Sequence, residues 1–111
     1  YLVHTNLLGT YHCLELARRS RAGMIFLSTS RVYPVGKIRQ LRFGKSDSRF
    51  ELEEAQEIPG VSPLGIAEDF PLEGARTLYG TTKLAAELCV LLLLLSQSFM
   101  VVSQPAVGSL Q

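Results

Sequence analysis

Apolar side chains at Val3, Leu7, Tyr11, Leu14 and Ala17 recur at spacings of three and four. That period predicts a helix from about residue 1 to residue 19, with these five residues on one face and His4, His12, Arg18 and Arg19 on the other. Past Ala22 and Gly23, the short apolar run Met24-Ile25-Phe26-Leu27 has the length and bounded ends of a buried parallel strand. It stops at three hydroxyl residues, Ser28-Thr29-Ser30.

From Pro34 to about Thr77 the pattern gives way to Gly, Pro and charged residues, and the acidic stretch Glu51, Glu53, Glu54 and Glu57 reads as a short exposed helix. Connections of this length in compact domains are usually lids or binding segments, so local turns or helices lying over a site are expected. A second helix is predicted from about Leu78 to Ser96, amphipathic through Lys83, Leu84 and Glu87 and apolar all round in its leucine run. Phe99 to Ser103 supplies a second candidate strand. Helix, strand, long loop, helix and strand in this order match one right-handed βαβ unit of an α/β fold with a parallel sheet.

Composition narrows the picture. With 111 residues, 47% of them apolar, and a formal charge of +1, the chain reads as at most one small globular domain. The cluster Arg18, Arg19 and Arg21, with Lys37 and Arg39 further on, is interrupted by apolar residues and offers no footprint for nucleic acid. The run Leu88 to Leu95 is far short of the ~18 apolar residues that span a membrane, so a buried helix is expected there. A helix apolar on every side is packed on more than one face; the covering surfaces are not evident in this chain, and aggregation of the segment alone is expected. Cys13 and Cys89 have no second thiol or metal-spaced histidine beside them, and no carboxylate or thiol completes a site with His4 and His12. Neither a disulfide nor a metal site is suggested, and a reduced, cytoplasmic compartment fits. Tyr1 already lies inside the apolar period with no signal-peptide layout before it, which reads as a truncated start.

Candidate chemistry begins with Tyr79 and Lys83, four apart near a helix start and therefore on one face. A phenol with an ordinary pKa of ~10 is a poor base at neutral pH, and an adjacent ammonium favours the phenolate. Surface neighbours with this spacing are common, so the pair alone is weak evidence. Hydroxyls at the carboxyl end of a parallel strand sit where α/β folds place ligands, and Ser28-Thr29-Ser30 occupies that position, although hydroxyls also simply end strands. Together the two features suggest hydride chemistry on an alcohol.

Three motifs then appear in order. Asn6-Leu7-Leu8-Gly9-Thr10 resembles the N-x-x-G-T segment of extended short-chain dehydrogenases, Phe26 to Tyr33 resembles their strand with a hydroxyl residue three before Val-Tyr, and Tyr79-Gly80-Thr81-Thr82-Lys83 resembles their Y-x-x-x-K. The chain is thus similar to the NAD-dependent epimerase/dehydratase family, over nearly all of its length up to Glu87. Gly65 to Leu72 followed by Leu78-Tyr79-Gly80 looks most like the CDP-paratose 2-epimerase (CDP-tyvelose epimerase) branch. Ser30 and Arg31 stand where the dehydratase branch carries Asp-Glu, which counts against water elimination. Gln104, before Pro105, stands where many members have Arg.

The resemblance implies a fragment of an NAD(P)-binding Rossmann-type doubly wound parallel sheet. Residues 1–111 would be the central part of that one domain, with the glycine-rich phosphate loop before Tyr1 and the substrate domain after Gln111. It implies catalysis by Thr29, Tyr79 and Lys83, with NAD, or NADP, held by Asn6, Ser28, Tyr79, Lys83 and Pro105, and a nucleotide sugar met by Thr29, Ser30 and Arg31. Helix capping for Asn6, a surface role for Ser30 and Arg31, and a strand stop for Pro105 are the competing readings. The implied activity is epimerisation through a keto-sugar in a parent protein for which a homodimer is one expectation, the 111 residues alone being inactive. A dehydratase or reductase of the same family, a non-catalytic cofactor sensor and an inert gene fragment are the alternatives.

Overall fold

The apolar period at the start of the chain becomes helix in the computed structural model, which describes residues 1–94, but that helix is wound in two ways. Val3–Leu8 is π-helical, and Gly9–Ser20 (α1) is α-helical. The wider turn is visible where the Gly9 N–H donates to the His4 carbonyl, five residues back. It also rotates the inward face. Leu14 and Ala17 are buried as the period predicts, but Val3 and Tyr11 are 43% and 50% exposed, and Asn6, Leu7 and Thr10 are half-buried. α1 ends at Arg21, which takes a left-handed φ of 53°, a conformation more often given to glycine, and so turns the Ala22 N–H back to the Ala17 carbonyl at 3.0 Å. Arg18 and Arg19 lie over the carbonyl end of α1, where cations are favoured, and bond Glu15 at 3.0 and 3.4 Å.

The second helix, α3 (Leu78–Leu94), starts where Thr77 can cap it: Thr77 Oγ1 accepts from the Gly80 N–H at 3.1 Å. Its inward side supplies Ala86 and Val90 to a core cluster with Leu14 and Phe26, against which Met24, Cys89 and Leu93 also pack. Each large apolar side chain buried in this way stabilises the fold by about 1.5–3 kcal/mol. Leu88, Leu91 and Leu92 face outward at 59%, 49% and 70% exposure, so the described residues cover the apolar half of the helix on one side.

The expected parallel sheet is not seen among the described residues. Met24 to Leu27 has no ladder partner, and its side chains nevertheless alternate, with Phe26 buried and Ile25 and Leu27 at 73% and 63% exposure. A strand takes its ladder hydrogen bonds from neighbouring strands, and the two sheets described are antiparallel hairpins elsewhere in the chain. The fold is therefore mixed helix and sheet at the level described. The second candidate strand, Phe99 to Ser103, the end of α3 at Ser96, and Gln104 and Pro105 lie outside the described residues. Among the described residues no helix is long and apolar enough to cross a membrane, and no cluster of three or more His, Cys, Asp or Glu is placed to hold a metal.

The chain divides into two units, one made of Tyr1–Val32 and the described residues from Thr77 onward, the other of Tyr33–Arg76. The second contains a single helical turn, α2 (Val35–Ile38), and two hairpins, β1 (Phe43–Lys45) with β2 (Phe50–Leu52) and β3 (Val61–Ser62) with β4 (Gly65–Ile66). The acidic helix expected over Glu51 to Glu57 is instead strand and bend. Glu53 and Glu57 would repel one turn apart on a helix. As a hairpin, the segment gains an edge-to-face contact between Phe43 and Phe50, with ring centroids 5.3 Å apart. Beyond the ladder, the Gln56 side chain acts as a peptide would, accepting from the Arg42 N–H at 3.1 Å and donating to its carbonyl at 2.7 Å. Lys37 donates to Glu73 at 2.8 Å and holds that carboxyl below its ordinary range.

This unit is organised around buried Phe70 and Pro34. The Tyr33 ring meets Phe70 edge-on at 5.2 Å, and its hydroxyl donates to the Ala67 carbonyl. Gly60 carries the turn that brings this segment together: its φ is +77°, and a Cβ there would lie 2.7 Å from Asp69 Oδ1 and 2.9 Å from the Phe70 nitrogen. Gly60→Ala is expected to destabilise by about 1–2 kcal/mol from the left-handed backbone alone, with the contacts adding to it. Chemical unfolding checks this, and an unchanged midpoint would show that the turn relaxes freely.

Candidate functional site

The residues that carry the sequence expectation within the described chain all belong to the first unit. Thr29 follows the apolar run and opens a 3₁₀ turn, Ser30–Val32. Its hydroxyl accepts from the Arg31 N–H and its carbonyl from the Val32 N–H, each at 3.3 Å. This bends the chain away as soon as the hydroxyl residues have been presented. Thr29 and Ser28 are half-buried, whereas Ser30 and Arg31 are exposed.

Tyr79 and Lys83 occupy the first turns of α3, with Tyr79 39% exposed. The Lys83 ammonium donates to the Leu27 carbonyl at 2.8 Å and stands 4.4 Å from the centre of the Phe26 ring. The carbonyl and the ring face give the cation two favourable contacts on the segment that leads into Thr29. An ammonium has three N–H donors, so two remain for other groups.

Asn6 is not a helix cap. It sits within the π-helical run, whose cap is Leu2, and its side-chain amide donates to Thr82 Oγ1 at 3.0 Å across the fold. Thr82, 3% exposed, passes its own proton to the Tyr79 carbonyl at 2.8 Å. The Asn6 carbonyl accepts from the Thr10 hydroxyl at 2.6 Å, so both ends of the Asn6-to-Thr10 motif are fixed. The relay from Asn6 through Thr82 to Tyr79 was not evident from residue spacing. What the sequence offered was two hydroxyls, Thr81 and Thr82, between the candidate pair, without saying which faced inward.

Two further residues escaped the sequence reading. Ser28 donates its hydroxyl proton to the Glu87 carboxylate, so toward any other group Ser28 offers only lone pairs. Gly80 is buried against the backbone of Arg31, where a Cβ would fall 2.0 Å from the carbonyl oxygen. Gly80, Lys83 and Glu87, spaced by three and four on α3, thus all face residues 26–31. His4 and His12 are exposed. A surface depression beside the outward side of α1, lined by Tyr11, His12, Glu15, Leu16 and Arg19, involves none of the residues expected to bind or react. No family model, curated protein or solved structure matches the chain.

Proposed function

We propose that this chain is part of an NAD-dependent nucleotide-sugar epimerase, built on a Rossmann-type parallel sheet and similar in its motifs to the extended short-chain dehydrogenases. The observation that carries this reading is the bond of Lys83 to the Leu27 carbonyl, which ties the helical turn bearing Tyr79 to the segment ending in Thr29. A phenol, an ammonium and a hydroxyl are the donor set that moving a proton from a sugar alcohol requires.

NAD, when bound, supplies acceptance and return of a hydride. The residues present suit the hydroxyl-rich end of such a group: two Lys83 donors remain for ribose hydroxyls, and Ser28 offers lone pairs. Asn6 supports the Tyr79 turn through Thr82, and its amide oxygen remains available as an acceptor. In the proposed reaction the Tyr79 phenolate takes the proton of a sugar hydroxyl that Thr29 orients, the carbon–hydrogen bond is lost as hydride, and a ketone forms. Inversion would follow once the ketone is reduced from its opposite face, with Tyr79 giving the proton back to the same oxygen. Ser30 and Arg31 are exposed beside Thr29 and would meet the substrate.

The test incubates the protein, as its gene encodes it, with NAD and a panel of CDP- and other nucleotide sugars. The expected result is an epimer resolved by proton NMR. Loss of water from the sugar instead would favour a dehydratase, and recovery of every sugar unchanged would end the epimerase reading.

A further inference from the structure

Glu87 has no part in the chemistry proposed above, yet its carboxylate reaches from α3 to the Ser28 hydroxyl, next to Thr29. A hydroxyl-to-carboxylate bond is charge-assisted and roughly twice as strong as a neutral one. It is one of three fastenings along one face of α3. Gly80 lets the first turn touch the Arg31 backbone, Lys83 bonds the Leu27 carbonyl, and Glu87 bonds Ser28. The first is a close approach and the second uses a side chain already assigned to chemistry. Glu87 is the one that no step of the proposed chemistry uses.

We infer that Glu87 is a positioning residue that acts through Ser28, fixing the register of residues 28–31 on α3 and with it the place of the Thr29 hydroxyl relative to Tyr79. The inference rests on the function proposed above. Because Ser28 carries a single proton and gives it to Glu87, removing the carboxylate frees that proton and unfastens the segment at once. Glutamine keeps an acceptor oxygen at the same reach, so it preserves the bond while removing the charge.

The experiment compares Glu87→Ala, Glu87→Gln, Ser28→Ala and the double variant Glu87→Ala/Ser28→Ala in the gene-encoded protein, well below each unfolding midpoint. It reads kcat and KM for the epimerised sugar, together with amide hydrogen exchange at Thr29 to Val32. Glu87→Ala is expected to lower kcat about tenfold to a hundredfold with KM nearly unchanged, the scale of loss when a reacting group is slightly misplaced. Exchange should rise at residues 29–32 and stay level along α3. Ser28→Ala should lose at least as much, since it also removes the lone pairs offered to the cofactor, the double variant should lose no more than Ser28→Ala alone, and Glu87→Gln should recover most of the turnover. Wild-type kcat and exchange in Glu87→Ala would overturn the assignment, as would full additivity in the double variant. If the wild-type protein epimerises nothing, the functional reading fails, and the exchange data still decide whether Glu87 holds residues 28–31.

Discussion

Replacing Gly80 by alanine is expected to destabilise the first unit by about 3 kcal/mol, near the upper end of what overpacking a buried position costs. The sign makes this informative. Within a helix, Gly→Ala normally stabilises, because glycine surrenders about 0.5–1 kcal/mol of backbone entropy that alanine does not. Here the added methyl would sit 2.0 Å from the Arg31 carbonyl oxygen and 3.0 Å from its carbon. Both are backbone atoms of a 3₁₀ turn, with no flexible side chain to move aside. Either α3 shifts outward or the turn after Thr29 does. Gly36, on the short helix α2 with nothing within 4 Å of its notional Cβ, is the internal control, and Gly36→Ala should be neutral or slightly stabilising. Denaturant unfolding of both variants checks the pair; a Gly80→Ala protein as stable as the parent would show that the approach of α3 to Arg31 is looser than drawn.

The second large effect is on turnover. Tyr79→Phe removes one oxygen from a 39%-exposed ring and leaves the Thr82-to-Tyr79 backbone bond in place. Folding should hardly change. If the phenolate is the base, turnover should fall by about 10²- to 10⁴-fold, the usual contribution of a positioned acid or base, while cofactor binding survives. Lys83→Met should lower turnover as well, and should in addition cost the bond to Leu27 and the contact with Phe26. Steady-state kinetics on Tyr79→Phe with a parallel cofactor titration separates the two terms, and near-normal turnover would sink the mechanism.

How much of this was legible in the sequence differs from element to element. The long helices were legible because their period is local: apolar spacing places the start of α3 at Leu78, where the structure adds a Thr77 cap. The π-helical winding of Val3–Leu8 was not legible, since a one-residue widening leaves composition untouched and shows only as a rotated face. Met24 to Leu27 has the composition of a strand, but pairing is a property of neighbours, and no described strand lies beside it. Glu51 was misread because four glutamates suggested a helix, whereas the diagonal ring contact of Phe43 with Phe50 across the ladder favours a hairpin.

The candidate site divides along the same line. Tyr79 and Lys83 could be singled out from residue type and spacing, and Thr29, among three hydroxyl residues, from the family resemblance. The partners that hold them, Thr82, Gly80 and Glu87, are ordinary residues whose roles arise only when distant segments meet, so no local pattern marks them.

The two cysteines, inert in every reading given so far, make the first unit its own clock. Cys13 is exposed on α1, while Cys89 is half-buried against Leu14, Phe26, Ala86 and Val90. A thiol reagent added under native conditions is expected to consume the first at the rate of a free thiol and the second more slowly, as far as packing of α3 on the core shields it. RT times the logarithm of the ratio of the two rates is a free energy for that shielding, read without an enzyme assay. It would rank any variant on the inner face of α3 by how far it loosens the helix that carries Tyr79 and Lys83.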